Sequence, residues 1–206
     1  MPQVLKREIR ERILGAALEV FAAHGYVGAT MGAIAQQAGL GTASLYRYYP
    51  GKAELFDAAI PTELVERFET LLTRRVRALA TALDVRDASG EEMLQFWIEH
   101  RLSVVILLDR AEGTVYAHFG EQFVRTLVRL TVEHLETTNP GIVLDKPAQF
   151  VMRRIFENTR HMLASILEKH HDGGDIRRAV ETFWAYQVTG LRGLSEHIGK
   201  RLAAPK

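Results

Sequence analysis

The chain has 206 residues, of which 47% are apolar and 25% charged, so its composition is that of a folded protein and not of a disordered one. It contains no cysteine, which excludes a disulfide scaffold and a thiolate metal site. The net charge is +1, but residues 1–52 carry six Lys or Arg against three Glu, which makes this segment +3 and the remainder −2. A basic N-terminal segment is compatible with contacts to phosphate.

Helical spacing of apolar residues recurs along the chain, and the period-2 alternation typical of strands is scarce. The N-terminal quarter divides into four predicted helices, which cover residues 4–24, 31–38, 42–48 and a segment from 52 onward. Gly25 ends the first helix because glycine adopts the left-handed conformation at low cost. Thr30 is the predicted N-cap of the second helix, and Pro50-Gly51 interrupts the third.

The rest of the sequence also predicts helices. Pro61 kinks or restarts the fourth helix, which continues to about residue 79. The later helices are predicted over 89–108, a short segment between 113 and 120, 121–136, 146–170 and 175–198. Ser89-x-x-Glu92 has the pattern of a capping box, and Asn139-Pro140-Gly141 that of a turn. The sequence therefore predicts an all-α protein of about nine helices.

Residues 30–52 read as two short helices joined by a tight Ala38-Gly39-Leu40 turn. Leu45 is the core anchor of the second short helix, with Tyr49 as a second candidate. Its other faces carry hydrogen-bonding groups and small residues, namely Thr42, Ala43, Ser44, Tyr46, Arg47 and Tyr48. Short side chains at the front of a helix let its backbone approach base edges, as recognition helices do in the major groove.

Here the sequence resembles the DNA-binding domain of the tetracycline-repressor (TetR/AcrR) family over about residues 9–60. The matching positions are Ala22, Gly25-Tyr26, Thr30, Ile34-Ala35, Ala38-Gly39-Leu40, Leu45-Tyr46, Tyr48-Tyr49, Lys52 and Leu55. The resemblance implies an N-terminal three-helix, helix-turn-helix DNA-binding domain over residues 1–52. It also implies a larger helical domain over residues 53–206, which binds an effector and forms a homodimer.

The resemblance further implies roles for individual side chains. Thr30 caps its helix and touches phosphate, and Thr42, Ala43 and Ser44 face the bases. Tyr46, Tyr48 and Lys52 bind phosphates. The family usually has Ser or Thr where Gly41 stands, and because glycine caps less well, we expect Thr42 to cap the helix instead. From its chemistry, Arg47 is our hypothesis for direct readout, since a bidentate Arg–guanine contact provides about 1–3 kcal/mol of discrimination.

The larger domain offers candidates for an apolar pocket with a few polar groups. The candidate lining residues are Phe96, Trp97, His100, Tyr116, Phe119, Phe123, Phe156 and Trp184, and His100, Asp109 and His118 are candidate polar contacts. Each aromatic residue can equally be plain core. The last two predicted helices carry wide apolar surfaces that suit a four-helix dimer interface, although the same surfaces can pack within one chain.

The sequence therefore predicts a ligand-responsive transcriptional regulator, and we expect a repressor in preference to an activator. It would bind a (pseudo)palindromic operator as a homodimer and be released by a small apolar or aromatic effector. The longest apolar runs are well short of the roughly 20 residues that span a membrane. The first residues also lack a signal-peptide core, so we expect a cytoplasmic protein without membrane partners.

Other functions are less well supported by the sequence. The chain has no phosphate-binding glycine loop, nucleophile elbow or zincin helix, so we expect it not to be an enzyme. His170-His171 lacks metal-ligand spacing, so we expect no metal and no cofactor. A DNA-binding regulator without a small-molecule effector and a helical interaction module remain alternatives.

Overall fold

The computed structural model describes residues 3–82, 87–138 and 144–203, and all regular structure within these ranges is helical. The helices are α1 (Gln3–Gly28), α2 (Met31–Gln37), α3 (Thr42–Tyr46), α4 (Lys52–Ala59), α5 (Thr62–Ala82), α6 (Ala88–Glu99), α7 (Arg101–Val105), α8 (Phe119–Thr138), α9 (Lys146–Lys169) and α10 (Gly173–Ala203). A π-helical turn, Ile106–Arg110, follows α7. The predicted all-α fold class is confirmed. In the described ranges the protein has ten α-helices where the sequence predicted about nine.

Packing divides the chain into two compact units, which we call unit 1 (residues 1–67 and 100–120) and unit 2 (residues 68–99 and 121–206). The division predicted after residue 52 separates a DNA-binding domain from an effector-binding domain by their functions, and it stays a prediction. By packing, α4 and the first turns of α5 belong with α1–α3. Among the described residues, none of the helices is both long and apolar enough to cross a bilayer.

The structure differs from the predicted elements in three places. The helix predicted over 89–108 is interrupted at His100, whose φ of −112° and ψ of 29° are not helical. Residues 112–118 form turns and bends in place of the predicted short helix. The capping box at Ser89 is wrong: α6 begins at Ala88, and Asp87 Oδ1 accepts the Gly90 amide at 2.8 Å. The predicted turn at 139–141 lies outside the described residues.

The core of unit 1 is organised around the C-terminal part of α1. The rings of Phe21, Tyr26 and Phe56 pack together with centroid separations of 5.8, 5.3 and 5.2 Å. Gly25 has a φ of 69° and interrupts the helical conformation of α1, as predicted for the end of the first helix. The π-helical turn belongs to the same unit, and Arg110 Nε donates to the carbonyl of Ala22 at 3.3 Å.

Unit 2 is built from α6, α8, α9, α10 and most of α5. Phe68 of α5 lies 5.5 Å from Phe96 and 6.1 Å from Phe123, ring centroid to ring centroid. The guanidinium of Arg177 binds both oxygens of Glu91 at 2.7 and 2.6 Å, which ties α10 to α6. These contacts join α5 to α6 and α8, and α10 to α6.

Candidate nucleic-acid interface and ligand cavity

The turn between α2 and α3 is fixed by backbone hydrogen bonds. Thr30 caps α2 as predicted, with its hydroxyl accepting the Ala33 amide at 3.1 Å. After α2, Gly39 takes a φ of 64°, and the Leu40 amide donates to the carbonyl of Ala35 at 2.8 Å. A positive φ favours glycine, so this residue lets the chain reverse directly into α3.

Helix α3 begins at Thr42 with Gly41 as its N-cap, and the cap makes no side-chain hydrogen bond. The expectation that Thr42 caps the helix is therefore wrong, and Thr42 is instead an exposed residue of its first turn. Leu45 is fully buried and anchors α3. Tyr49 just beyond it is half-buried. Burial raises the pKa of its hydroxyl, and the charge of Arg10 acts in the opposite direction.

The outer side of α3 presents the predicted DNA-contacting residues together. Thr42, Ala43, Tyr46 and Arg47 are exposed, and Ser44 and Tyr48 are half-buried. Arg47 donates to Ser44 Oγ at 2.9 Å, so its guanidinium lies back along the same face. We call the surface of Thr42, Ala43, Ser44, Tyr46 and Arg47 the α3 face. It combines small residues with donors, which is the chemistry that base-edge recognition needs.

Lys52 has a different environment from the one that the resemblance implied. Its ammonium donates to the carbonyls of Tyr26 and Ala29 at 2.7 and 2.9 Å. It also lies 4.4 Å from the centroid of the Tyr26 ring. Lys52 thus joins the start of α4 to the end of α1, where backbone carbonyls have no helical partner. A phosphate contact from this side chain remains a prediction, and it would require the ammonium to leave these carbonyls.

Unit 2 contains a partly open cavity of about 290 Å³ lined by side chains from α5, α6, α8, α9 and α10. Its wall is mainly apolar, with Leu, Met, Val and Phe side chains from all five helices. The Trp97 and Trp184 rings lie in this wall with centroids 5.6 Å apart. Trp97 Nε1 is buried and has no hydrogen-bond acceptor within the part of the chain that the structure describes. The volume is near the lower end of the range for small-molecule sites.

The cavity includes half of the predicted lining residues. Trp97, Phe123, Phe156 and Trp184 line it, whereas Phe96 is core beside Phe68. The remaining candidates belong to unit 1, namely His100, Asp109, Tyr116, His118 and Phe119. Among the described residues, no group of three His, Cys, Asp or Glu side chains could hold a metal ion.

Sequence reasoning missed the polar residues of the wall, above all Arg75, Thr159 and Gln187. The signal for Arg75 was present in the sequence. It stands seven, four and three residues after Phe68, Leu71 and Leu72, on the stripe that faces the core. Gln187 stands seven residues after the buried Val180 and donates to Thr159 Oγ1.

Comparison with known proteins supports the resemblance. The family model described as "Bacterial regulatory proteins, tetR family" matches residues 13–59, which contain α2, α3 and α4 and the buried stripe of α1. Residues 13–59 are therefore similar to the N-terminal domain of TetR-family regulators. The HTH-type transcriptional repressor KstR of Mycolicibacterium smegmatis is 37% identical over 76 residues, which are 37% of this chain and 37% of KstR. DrrR1 of Streptomyces coeruleorubidus, an HTH-type transcriptional repressor, is 47% identical over 47 residues, 23% of this chain and 17% of that protein.

These matches span well under two thirds of either relative, so they carry no conclusion about the whole protein's activity. A TetR-family regulator from Streptomyces coelicolor has a crystal structure that aligns over 94% of this chain and 86% of its own. The TM-score is 0.46 and the identity 21%, a likeness too low to support an argument about ligand or mechanism.

Proposed function

We propose that this protein is a TetR-family regulator, which controls transcription by binding operator DNA through the α3 face. The observation that carries the proposal is the arrangement of α3: Leu45 alone is buried, and the donors on its other sides point away from the core of unit 1. A helix that contributes so little to its own core is explained by a partner outside the chain. KstR and DrrR1 are named repressors, which supports repression as the direction of control.

Binding as a homodimer is part of the proposal, because two copies of α3 would then read two half-sites about 34–36 Å apart. Large apolar side chains on the last two helices remain exposed, namely Phe150, Val151 and Met162 on α9 and Tyr186 on α10. Beside Tyr186, the exposed residues Ala185, Thr189 and Gly193 are small enough for close helix approach. Leu163 and Leu167 of α9 are buried within their own unit, so only part of the apolar surface is available to a partner.

The dimer proposal is tested by light scattering on Met162→Glu and Tyr186→Glu. Either charge placed in an apolar interface should shift the dimer towards monomer at micromolar concentration. Val115→Glu is the matched control, since Val115 is 85% exposed and belongs to unit 1. A wild-type protein that stays monomeric at every concentration would contradict the proposal.

Release by an effector is the third part of the proposal. The cavity wall contains Leu72, Arg75 and Val76 of α5, and α5 is a continuous helix whose first residues, 62–67, belong to unit 1. A ligand that displaces the part of α5 in the cavity wall would therefore also displace the first residues of α5, which directly follow α4 in the chain. The size of the effect is limited to the difference in ligand affinity between the free and the DNA-bound protein.

The decisive experiment on DNA binding is selection of duplexes from a random library with the full-length protein, followed by fluorescence anisotropy over a range of salt concentrations. We expect a defined motif with two related half-sites and an affinity that falls steeply with salt, because each phosphate contact releases counterions. Failure to enrich any motif, together with no binding to any duplex in dilute buffer, would contradict the proposed function.

A further inference from the structure

An ion pair between the buried Arg75 and the half-buried Asp87 lies at the edge of the cavity in unit 2. Arg75 is only 3% exposed, and its Nη1 donates to Asp87 Oδ1 at 2.8 Å. The guanidinium also lies 4.8 Å from the centroid of the Trp184 ring. Arg75 and Trp184 both line the cavity, whereas Asp87 immediately precedes α6 and does not line it. Any ligand in this cavity therefore meets a cation that already has an anionic partner.

Asp87 is held in its ionised form by its surroundings. Partial burial acts to raise the pKa of its carboxyl group, but the Ser89 hydroxyl, the Gly90 amide and the charge of Arg75 together lower the pKa below its usual value. Ser89 Oγ donates to Asp87 Oδ1 at 2.6 Å, and the Gly90 amide donates to the same oxygen at 2.8 Å. Near neutral pH the Arg75–Asp87 pair thus adds no net charge to the wall.

The other titratable groups of the wall are His134, Arg192 and Glu196. His134 is half-buried, and Arg192 and Glu196 are exposed and of opposite sign. A ligand carboxylate in the interior would be a second anion beside a cation that Asp87 already neutralises. A ligand ammonium would approach the guanidinium that already lies against Trp184. Either ion loses its hydration without gaining a new counter-charge, which is strongly unfavourable.

We propose, building on the effector role proposed above, that this cavity selects neutral, largely apolar molecules and that the Arg75–Asp87 pair excludes organic acids and amines. Arg75 and Asp87 neutralise each other, so neither is left to serve as the counter-ion of a charged ligand. The effector class is thereby narrowed from small apolar molecules in general to molecules without a formal charge.

Three probes with the same ring test the proposal: methyl 2-naphthoate, 2-naphthoate and 2-naphthylmethylammonium. Trp97 and Trp184 are the two tryptophans of the chain and both line the cavity, so quenching of intrinsic fluorescence reports binding at this place. Calorimetry on the full-length protein gives the affinities. We expect the ester to bind and both ions to bind at least about tenfold more weakly. Equal or tighter binding of 2-naphthoate to the wild-type protein would overturn the proposal.

Two variants should shift the selectivity in opposite directions. Asp87→Asn keeps a good helix cap and leaves the charge of Arg75 without its partner, so 2-naphthoate should gain at least about tenfold relative to the ester. Arg75→Met leaves Asp87, and the ammonium probe should gain relative to the ester. Glu91→Gln is the matched control, because Glu91 is an exposed acid on the same helix and pairs with Arg177. Unchanged selectivity in a folded Asp87→Asn or Arg75→Met protein would count against the proposal.

Duplex binding measured in parallel separates this inference from the proposed function. If the wild-type protein binds the selected duplex but not the ester, the inference on the cavity is overturned and the protein remains a DNA-binding regulator. Selective ester binding by a protein that binds no duplex would support the inference on the cavity and overturn the regulatory role.

Discussion

Lys52→Met tests whether this residue positions α1 or contacts DNA. The substitution keeps the apolar stem against Tyr26 and removes the ammonium that donates to the Tyr26 and Ala29 carbonyls at 2.7 and 2.9 Å. Hydrogen bonds from a charged donor contribute about 1.5–3 kcal/mol each, and a cation–π contact about 0.5–1 kcal/mol. Because Lys52 is half-exposed and water can replace it, we expect a total loss of about 2–3 kcal/mol.

In a chain of this length that loss lowers Tm by about 4–12 °C in thermal unfolding followed by circular dichroism. Lys146→Met, at an exposed lysine on α9, is the control and should leave Tm unchanged. The second assay is the salt dependence of duplex binding. A lost phosphate contact reduces the slope of log K against log salt by about 0.9 for each protomer, whereas loss of a positioning residue leaves the slope unchanged.

We predict a lower Tm with an unchanged slope. A Lys52→Met protein with wild-type Tm and a slope reduced by about 1.8 for a dimer would refute this reasoning and establish the phosphate contact.

Three further predictions follow from single contacts. Arg47→Ala should weaken binding to the selected duplex by about 1–3 kcal/mol and weaken binding to duplexes mismatched in one half-site by less, as measured by anisotropy; equal losses on both would mean that Arg47 contacts only phosphate. Gly113→Ala should destabilise the protein by about 1–3 kcal/mol, because Gly113 has a φ of 84° and a Cβ there would lie 3.2 Å from Val27 Cγ2. Gly41→Ala, at an ordinary φ of −72° with no atom within 4 Å of the added Cβ, should change the unfolding free energy far less. Hydrogen bonding to Arg177 lowers the pKa of Glu91 despite the opposing effect of burial, so the pair stabilises the protein above the ordinary pKa of a glutamate and ceases to do so as the pH falls through the lowered value. The Tm difference between wild type and Glu91→Gln should therefore be small at pH 7 and vanish in acid, and a difference that grows with acidity would contradict the assignment.

The N-terminal elements could be predicted closely because their signals are local. Thr30 provides a cap and Gly25 and Gly39 provide positive φ, so the boundaries of α2 follow from the neighbouring residues alone. The wrong cap of α3 shows the limit of this reasoning. Gly41 has no side chain to form a cap bond, yet it is the N-cap of α3, and its carbonyl accepts the Ser44 and Leu45 amides at 2.8 and 3.2 Å.

The middle of the chain depends on long-range packing and was predicted less well. Residues 103–108 are buried on all sides, and a continuous buried run has no helical period from which a break at His100 could be inferred. Among the cavity residues, Trp97 and Phe123 followed from aromatic character, whereas Tyr116 and Phe119 belong to the other unit. Arg75 required the opposite approach, which is to look for a charged residue on an otherwise apolar stripe.

Affinity cleavage from the α3 face is the sharpest test of whether α3 enters the DNA groove. The chain has no cysteine, so Ala43→Cys provides a single site for an iron–EDTA reagent. Lys169→Cys, at an exposed residue at the end of α9, is the matched control. With the selected duplex bound, we expect the reagent at position 43 to cleave the strands at two places separated by about one helical turn or slightly more. We expect no cleavage from the reagent at position 169. Cleavage from Lys169 alone, or none from Ala43 on a duplex that is demonstrably bound, would contradict the claim that α3 enters the DNA groove.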